Sequence, residues 1–153
     1  WKNFERSSQK ANLINNMARA LGIDFGEKRV GLALSDRLSL IASPYKTLHY
    51  ISENDLISEI KKIVVKKEIE IFVIGLPLNM KGEDSAQTKK VRKFKKLLSI
   101  LNLPIVYEDE RFSSIIAKNS LVLQNVKTGH NKSEIDRTAA AIILQQYLDK
   151  NSN

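Results

Sequence analysis

Cysteine is absent from the 153 residues, which excludes a disulfide framework and any thiolate metal site. Histidine occurs only at positions 49 and 130, and with no cysteine beside it this argues against zinc. No apolar run approaches the roughly 18 residues of a membrane-crossing helix. A secretory signal pattern is also missing, so the expected compartment is the cytoplasm, with no membrane partner. Acidic residues are the minority charge, 17 against 25 lysines and arginines, for a net +8. Such a surplus favours a polyanionic partner through attraction and counterion release, although a basic host proteome gives the same balance. What is present is enough apolar material, 42% of residues, to bury one domain core.

Residues 1–16 are polar and show neither helical nor strand periodicity. They read as a non-native or disordered extension, with Met17 as the functional start and residues 17–150 as a single domain. Two strand-like runs follow, 20–25 and 29–35, separated by Gly26-Glu27-Lys28 at hairpin spacing. A third run spans about 39–48, and Pro44 places part of it at an edge or bulge. Ser52-x-x-Asp55 resembles a capping box, ahead of Leu56, Ile60, Ile63, Val64 and Lys67 on one helical face.

A buried strand, 69–74, comes next, followed by a helix over about 85–101. Phe94, Leu97, Leu98 and Leu101 share one side of that helix, and its other positions are rich in lysine and arginine. Pro104 opens a strand over 105–109. Ser113 or Ser114 is placed to cap a short helix to about Leu123, residues 125–132 form a polar loop, and Ser133 caps a last helix to about Leu148. An antiparallel meander feeding βαβ units predicts an α/β fold with a five-stranded mixed sheet and helices on both faces.

Three acids occupy positions where acids are costly. In Gly22-Ile23-Asp24-Phe25-Gly26, alternation puts Leu21, Ile23 and Phe25 on one face and Ala20, Gly22 and Asp24 on the other. Burying such a carboxylate alone costs several kcal/mol, and the adjacent glycines are expected to leave room for a metal and a phosphate backbone. The competing reading is an Asp that merely opens the turn at Gly26. Glu110 ends the late strand, at the sheet edge where open α/β folds bind ligands; the alternative is a solvated strand end. Asp136 shares a helical face with Ala139, Ala140, Ile143 and Tyr147 and is carried toward the sheet, although Ser133-x-x-Asp136 also fits a capping box. Three carboxylates converging from these elements suit Mg²⁺ or Mn²⁺. His130, in the polar loop, reads as solvated.

The run Leu21-Gly22-Ile23-Asp24-Phe25-Gly26 with Arg29-Val30-Gly31 and Ser35-Asp36 resembles the opening of the YqgF/RuvX-like family. Gly75-Leu76-Pro77-Leu78-Asn79 with Gly82, Asp109-Glu110-Arg111 and Ile135-Asp136-Arg137-Thr138-Ala139-Ala140-Ala141 match its three later blocks in order. The resemblance implies a ribonuclease H-like fold and a nuclease related to RuvC-type resolvases. Members are described as processing the 5′ end of pre-16S rRNA, and earlier as Holliday junction resolvases. By position the resemblance makes Asp24, Glu110 and Asp136 the catalytic, metal-holding acids; Asp109 adjoins Glu110 in the same block.

The expected chemistry is phosphodiester hydrolysis by two ions about 3.5–4 Å apart. Arg29, Lys89, Lys93, Lys96, Arg111 and Lys132 are the candidate phosphate contacts, although a lysine-rich helix face is often only solvated. Expected partners are pre-16S rRNA, with association to a ribosomal precursor, or branched DNA. Two other classes remain. An actin-like phosphotransferase would need a second domain and a further glycine-rich loop. A non-catalytic RNA-binding assembly module would have no need of all three acids.

Overall fold

The computed structural model describes residues 18–111 and 132–151. The N-terminal extension, the helix expected after Ser113 and the loop 125–131 lie outside the described residues. Strands β1 (Arg19–Phe25), β2 (Arg29–Ser35) and β3 (Ala42–His49) form an antiparallel meander, followed by α1 (Glu53–Lys67) and β4 (Ile69–Leu76). Then come α2 (Ala86–Leu98), a 3₁₀ turn (Ser99–Leu101), β5 (Ile105–Asp109) and α3 (Lys132–Lys150). The strands lie in the order β3-β2-β1-β4-β5, with β4 parallel to both β1 and β5.

The local chemistry explains the element ends. Ser52 caps α1 by accepting the Asp55 N–H, and Ser85 and Thr88 form a capping box at the start of α2. Pro44 sits on the edge strand, where β2 and β3 shift register opposite Leu32 and Ala33, so its missing N–H costs no central ladder bond. The hairpin between β2 and β3 is closed by Asp36, whose carboxylate accepts the N–H groups of Leu40 and Ile41 at 2.7 and 3.0 Å. These backbone donors, Ile41 first among them, hold its pKa below the usual range.

Alternation along β1 sorts the layers as expected. Leu21, Ile23 and partly buried Phe25 join the larger core beneath α1 and α2, where Phe25 stacks on Phe94 at 4.4 Å. Ala20, Ala33 and Val73 face α3 and pack with Ala140, Ile143 and Leu144 in a second, smaller core. One boundary differs from expectation. Lys132 and Ser133 are already helical, so Ser133 does not precede α3 as its cap. Its hydroxyl stands 3.3 Å from His49 Nε2, and its carbonyl accepts the Thr47 hydroxyl, which ties the first turn of α3 to β3. Among the described residues no helix is long and apolar enough to cross a membrane.

Candidate active site

The α3-facing side of the sheet carries Asp24 and receives Glu110 at the carboxyl ends of the parallel strands, and Asp136 lies on the helix that covers it. Asp24 lies opposite Gly31 of β2. One step beyond the pair Ile23 and Ile74, it comes beside Gly75 of β4, and Gly75 pairs in turn with Glu108 of β5. The row Gly31–Asp24–Gly75–Glu108 therefore crosses four strands, with neighbours about 5 Å apart. The two residues flanking Asp24 have no side chains.

That space is filled by protein. A Cβ on Gly31 would fall 2.0 Å from the Asp136 carbonyl oxygen, and one on Gly75 would fall 2.5 Å from Ile143 Cδ1 and 3.2 Å from Glu110 Oε2. Gly22 behaves alike, against Leu144 Cβ at 2.7 Å and the Ala140 carbonyl at 2.9 Å. The expectation that the glycines around Asp24 hold space for metal and phosphate is thus corrected at Gly22, where the helix occupies the vacated volume. A β-carbon at Gly26 would strike the Arg29 carbonyl at 2.6 Å, so that glycine serves the turn.

Glu110 is buried, and its oxygen facing Gly75 puts its carboxylate on the Asp24 side of the sheet. Asp109 points to the other side and accepts the Arg111 Nε–H at 2.8 Å. Side-chain alternation along β5 separates the two: Ile105 and Tyr107 pack in the core under α2, Asp109 continues their parity, and Glu108 and Glu110 share the opposite one. Glu108 is a buried acid that sequence reasoning passed over; Lys150 Nζ, from the last turn of α3, reaches its Oε1 at 2.5 Å. The same alternation, applied to Val106, Glu108 and Glu110, was the available signal.

Asp136 lies in the first turns of α3, directly over β2. Its carboxylate accepts the Arg29 Nε–H at 2.6 Å, with the two side chains 35% and 21% exposed. Its face packs inward as its spacing predicts, since Ala139, Ala140 and Ile143 are buried. Among the described residues, however, no three acids or histidines stand close enough together to close on one ion. Glu110 reaches Gly75, the β4 residue beside Asp24, while the Asp136 side chain is engaged by Arg29.

The candidate phosphate contacts fall into two sets. Arg29 and Arg111 are bound to carboxylates, and the Arg111 guanidinium also abuts Gly82, whose φ is +79°. Lys89, Lys93, Lys96 and Lys132 are exposed. The first three sit on the outer surface of α2, the layer opposite Asp24. Lys90, next to Lys89, pairs with Glu27 in the β1–β2 turn, and Gln87 donates to the Phe25 carbonyl at 3.2 Å. The start of α2 is therefore near the carboxyl end of β1, and Lys96 is about 10 Å further along the helix axis than Lys89. Arg92 is held by both Asp84 oxygens at 2.7 and 3.0 Å, which lowers the Asp84 pKa.

Residues 18–150 match the model of the RuvX family, described as a Holliday junction resolvase. A protein of Trichormus variabilis named "Putative pre-16S rRNA nuclease" is 44% identical over 131 residues, 85% of this chain and 87% of its own length. A Chloroflexus aggregans protein of the same name is 38% identical over 139 residues, 90% of this chain and 98% of its own. Among solved structures, Thermus thermophilus RuvC in complex with a Holliday junction superposes with a TM-score of 0.56 at 13% identity, covering 89% of this chain and 96% of that one. A fowlpox virus resolvase bound to junction DNA gives 0.50 at 12% identity, over 88% and 99%. The fold is thus the ribonuclease H-like one of these resolvases, and the chain belongs to the RuvX family.

Proposed function

We propose that this chain is a cytoplasmic, divalent-metal-dependent nuclease, with residues 17–150 as one domain, that hydrolyses phosphodiester bonds at the 5′ end of pre-16S rRNA within a ribosomal precursor. The observation that carries this reading is Asp24: an acid on the central strand, between two glycines, on the sheet face that also receives Glu110. The relatives named as pre-16S rRNA nucleases match along nearly their whole length, which favours an RNA precursor over a DNA junction. The family description supports Holliday junction resolution as the second reading.

The donor set fits a hard cation in kind: carboxylate oxygens alone, in a chain without cysteine. Asp24, Glu110 and Asp136 would hold Mg²⁺ or Mn²⁺, which when bound activates water and stabilises charge on the leaving oxygen. Asp24 and Glu110 are delivered by strand ends and are rigid in backbone. Asp136 comes from a helix seated on Gly31, so its backbone is fixed too and only its side chain has to turn. Rigid placement of this kind is what a reaction driven by charge stabilisation needs.

The deciding experiment offers the purified protein a pre-16S leader RNA and a synthetic four-way DNA junction, each with Mg²⁺ and with Mn²⁺. Cleavage of the leader at one 5′ position supports the proposal. Cleavage of the junction alone transfers the assignment to resolvase, and metal-dependent binding without cleavage of either would leave a binding module.

The lysine face of α2 gives a second test. Because Lys89 lies nearest the carboxyl end of β1, Lys89→Gln alone should flatten the salt dependence of RNA binding by roughly one unit of slope. The triple change with Lys93→Gln and Lys96→Gln should flatten it by no more than roughly three. An unchanged slope in the triple variant would show a solvated helix face.

A further inference from the structure

The first turns of α3 are fixed by contacts that do not involve the Asp136 carboxylate. Its backbone carbonyl rests on Gly31 of β2, the Thr47 hydroxyl donates to the Ser133 carbonyl, and His49 meets the Ser133 hydroxyl. Further along, Gln145 accepts the Ala42 N–H at 2.9 Å and donates to the Leu40 carbonyl at 3.0 Å. The ion pair with Arg29 is therefore not needed to dock the helix. What it sets is the direction of one side chain.

That direction matters because of where Asp136 sits. Gly31 lies directly opposite Asp24, so the Asp136 backbone is one strand spacing from Asp24, and the Asp24 side chain projects from the same face. Arg29 lies two residues before Gly31 on β2, on that same face and toward the carboxyl end of β1. A carboxylate at this point has two directions open to it, toward the Arg29 guanidinium or toward the other two acids. The side chain takes the first, at 2.6 Å.

We propose that Arg29 is a positioning residue: its guanidinium holds the Asp136 carboxylate aside from Asp24 and Glu110 while no cation is bound, and a divalent ion must displace it. The inference rests on the metal reading above. Two charge effects support it. Like charges brought toward one another repel, and drawing the Asp136 carboxylate toward a guanidinium relieves that repulsion. The pair is also only partly buried, so its strength is modest and a divalent ion with two further carboxylates can outcompete it. Arg29 then acts as a counter-charge for Asp136, at some expense in cation affinity.

The test titrates Mn²⁺ into the full chain and reads the free ion by electron paramagnetic resonance, without substrate. Arg29→Gln should bind Mn²⁺ up to roughly fivefold more tightly than the wild type, the range expected for losing one partly exposed ionic competitor. Loss of a positive charge alone would strengthen any nearby cation site, so the same change is made in an Asp136→Asn background. There Arg29→Gln should bring only the smaller gain of the lost charge, because the carboxylate it restrains is gone. An equal gain in both backgrounds would overturn the proposal in favour of general electrostatics. Unchanged or weaker binding in Arg29→Gln alone would overturn it too, showing that Arg29 does not compete or that it orients Asp136 for the metal. If neither the wild type nor Arg29→Gln binds Mn²⁺, the metal reading itself falls, and this inference with it.

Discussion

Asp24→Asn should leave the protein folded and lower hydrolysis by at least roughly three orders of magnitude, the scale expected when the group that positions charge stabilisation is lost. Asn keeps the shape and removes only the negative charge, on a strand that pairs on both sides with β2 and β4. The thermal midpoint without metal should therefore stay within a few degrees of the wild type. A ligand that binds only the folded state raises stability by mass action, so the stabilisation brought by Mg²⁺ should shrink in the variant. Melting with and without Mg²⁺, measured beside cleavage, separates a catalytic acid from a structural one. Cleavage within tenfold of wild type would remove Asp24 from the chemistry and leave it as the residue that opens the Gly26 turn.

The contrast with Asp136→Asn is informative. Asp136 has two possible neighbours, the acids and Arg29, and Asn weakens its interaction with both. Cleavage should fall as with Asp24→Asn if Asp136 is a ligand. A helix cap would have survived the change, because Asn caps well, but Ser133 lies within α3 and the Asp136 carboxylate is engaged by Arg29.

Much of this arrangement was legible in the sequence because it follows from short-range periodicities. The alternation along β1 separates Leu21 and Ile23 from Ala20, Gly22 and Asp24 whatever the rest of the chain does. The face of α3 bearing Ala139, Ala140 and Ile143 likewise had to pack on the sheet and bring Asp136 with it. Two features were not legible, because each joins residues far apart in the chain. The pair of Arg29 and Asp136 spans 107 positions, and no local pattern shows that a cation expected to meet phosphate is already engaged by a carboxylate. The seam between α3 and the sheet was missed for a related reason. Gly22, Gly31 and Gly75 look like turn or ligand-approach glycines in isolation, and only the path of α3 across β2, β1 and β4 shows that they admit a helix. Glu108 is a milder case: alternation along β5 puts it on the Asp24 side, but its partner Lys150 lies 42 positions away in the sequence.

That seam makes Gly31 the most sensitive position outside the acids. In Gly31→Ala the new methyl would fall 2.0 Å from the Asp136 carbonyl oxygen, 2.3 Å from its carbon and 2.8 Å from the Arg137 nitrogen. All three are backbone atoms, so no side chain can rotate away. β2 pairs with both β1 and β3 and cannot recede, which leaves α3 to lift. Replacing Gly by Ala within a strand would otherwise gain roughly 0.5–1 kcal/mol from chain entropy. Overpacking typically costs about 1–3 kcal/mol, and a backbone clash this short belongs at the upper end or beyond, so the steric term wins. For a chain of this length that corresponds to a fall of roughly 5–10 °C in the thermal midpoint. Lifting the first turns of α3 also carries Asp136 away from Asp24, and a displacement of about 1 Å can cost roughly a hundredfold in rate. Gly22→Ala is the control: its methyl would meet the Leu144 side chain at 2.7 Å and the Ala140 carbonyl at 2.9 Å, one turn further along. It should lower the midpoint less and spare most of the activity, since Asp136 is not beneath it. A Gly31→Ala protein with wild-type melting and cleavage would show that α3 is not seated on β2 as described, and that Asp136 reaches the acids by another path.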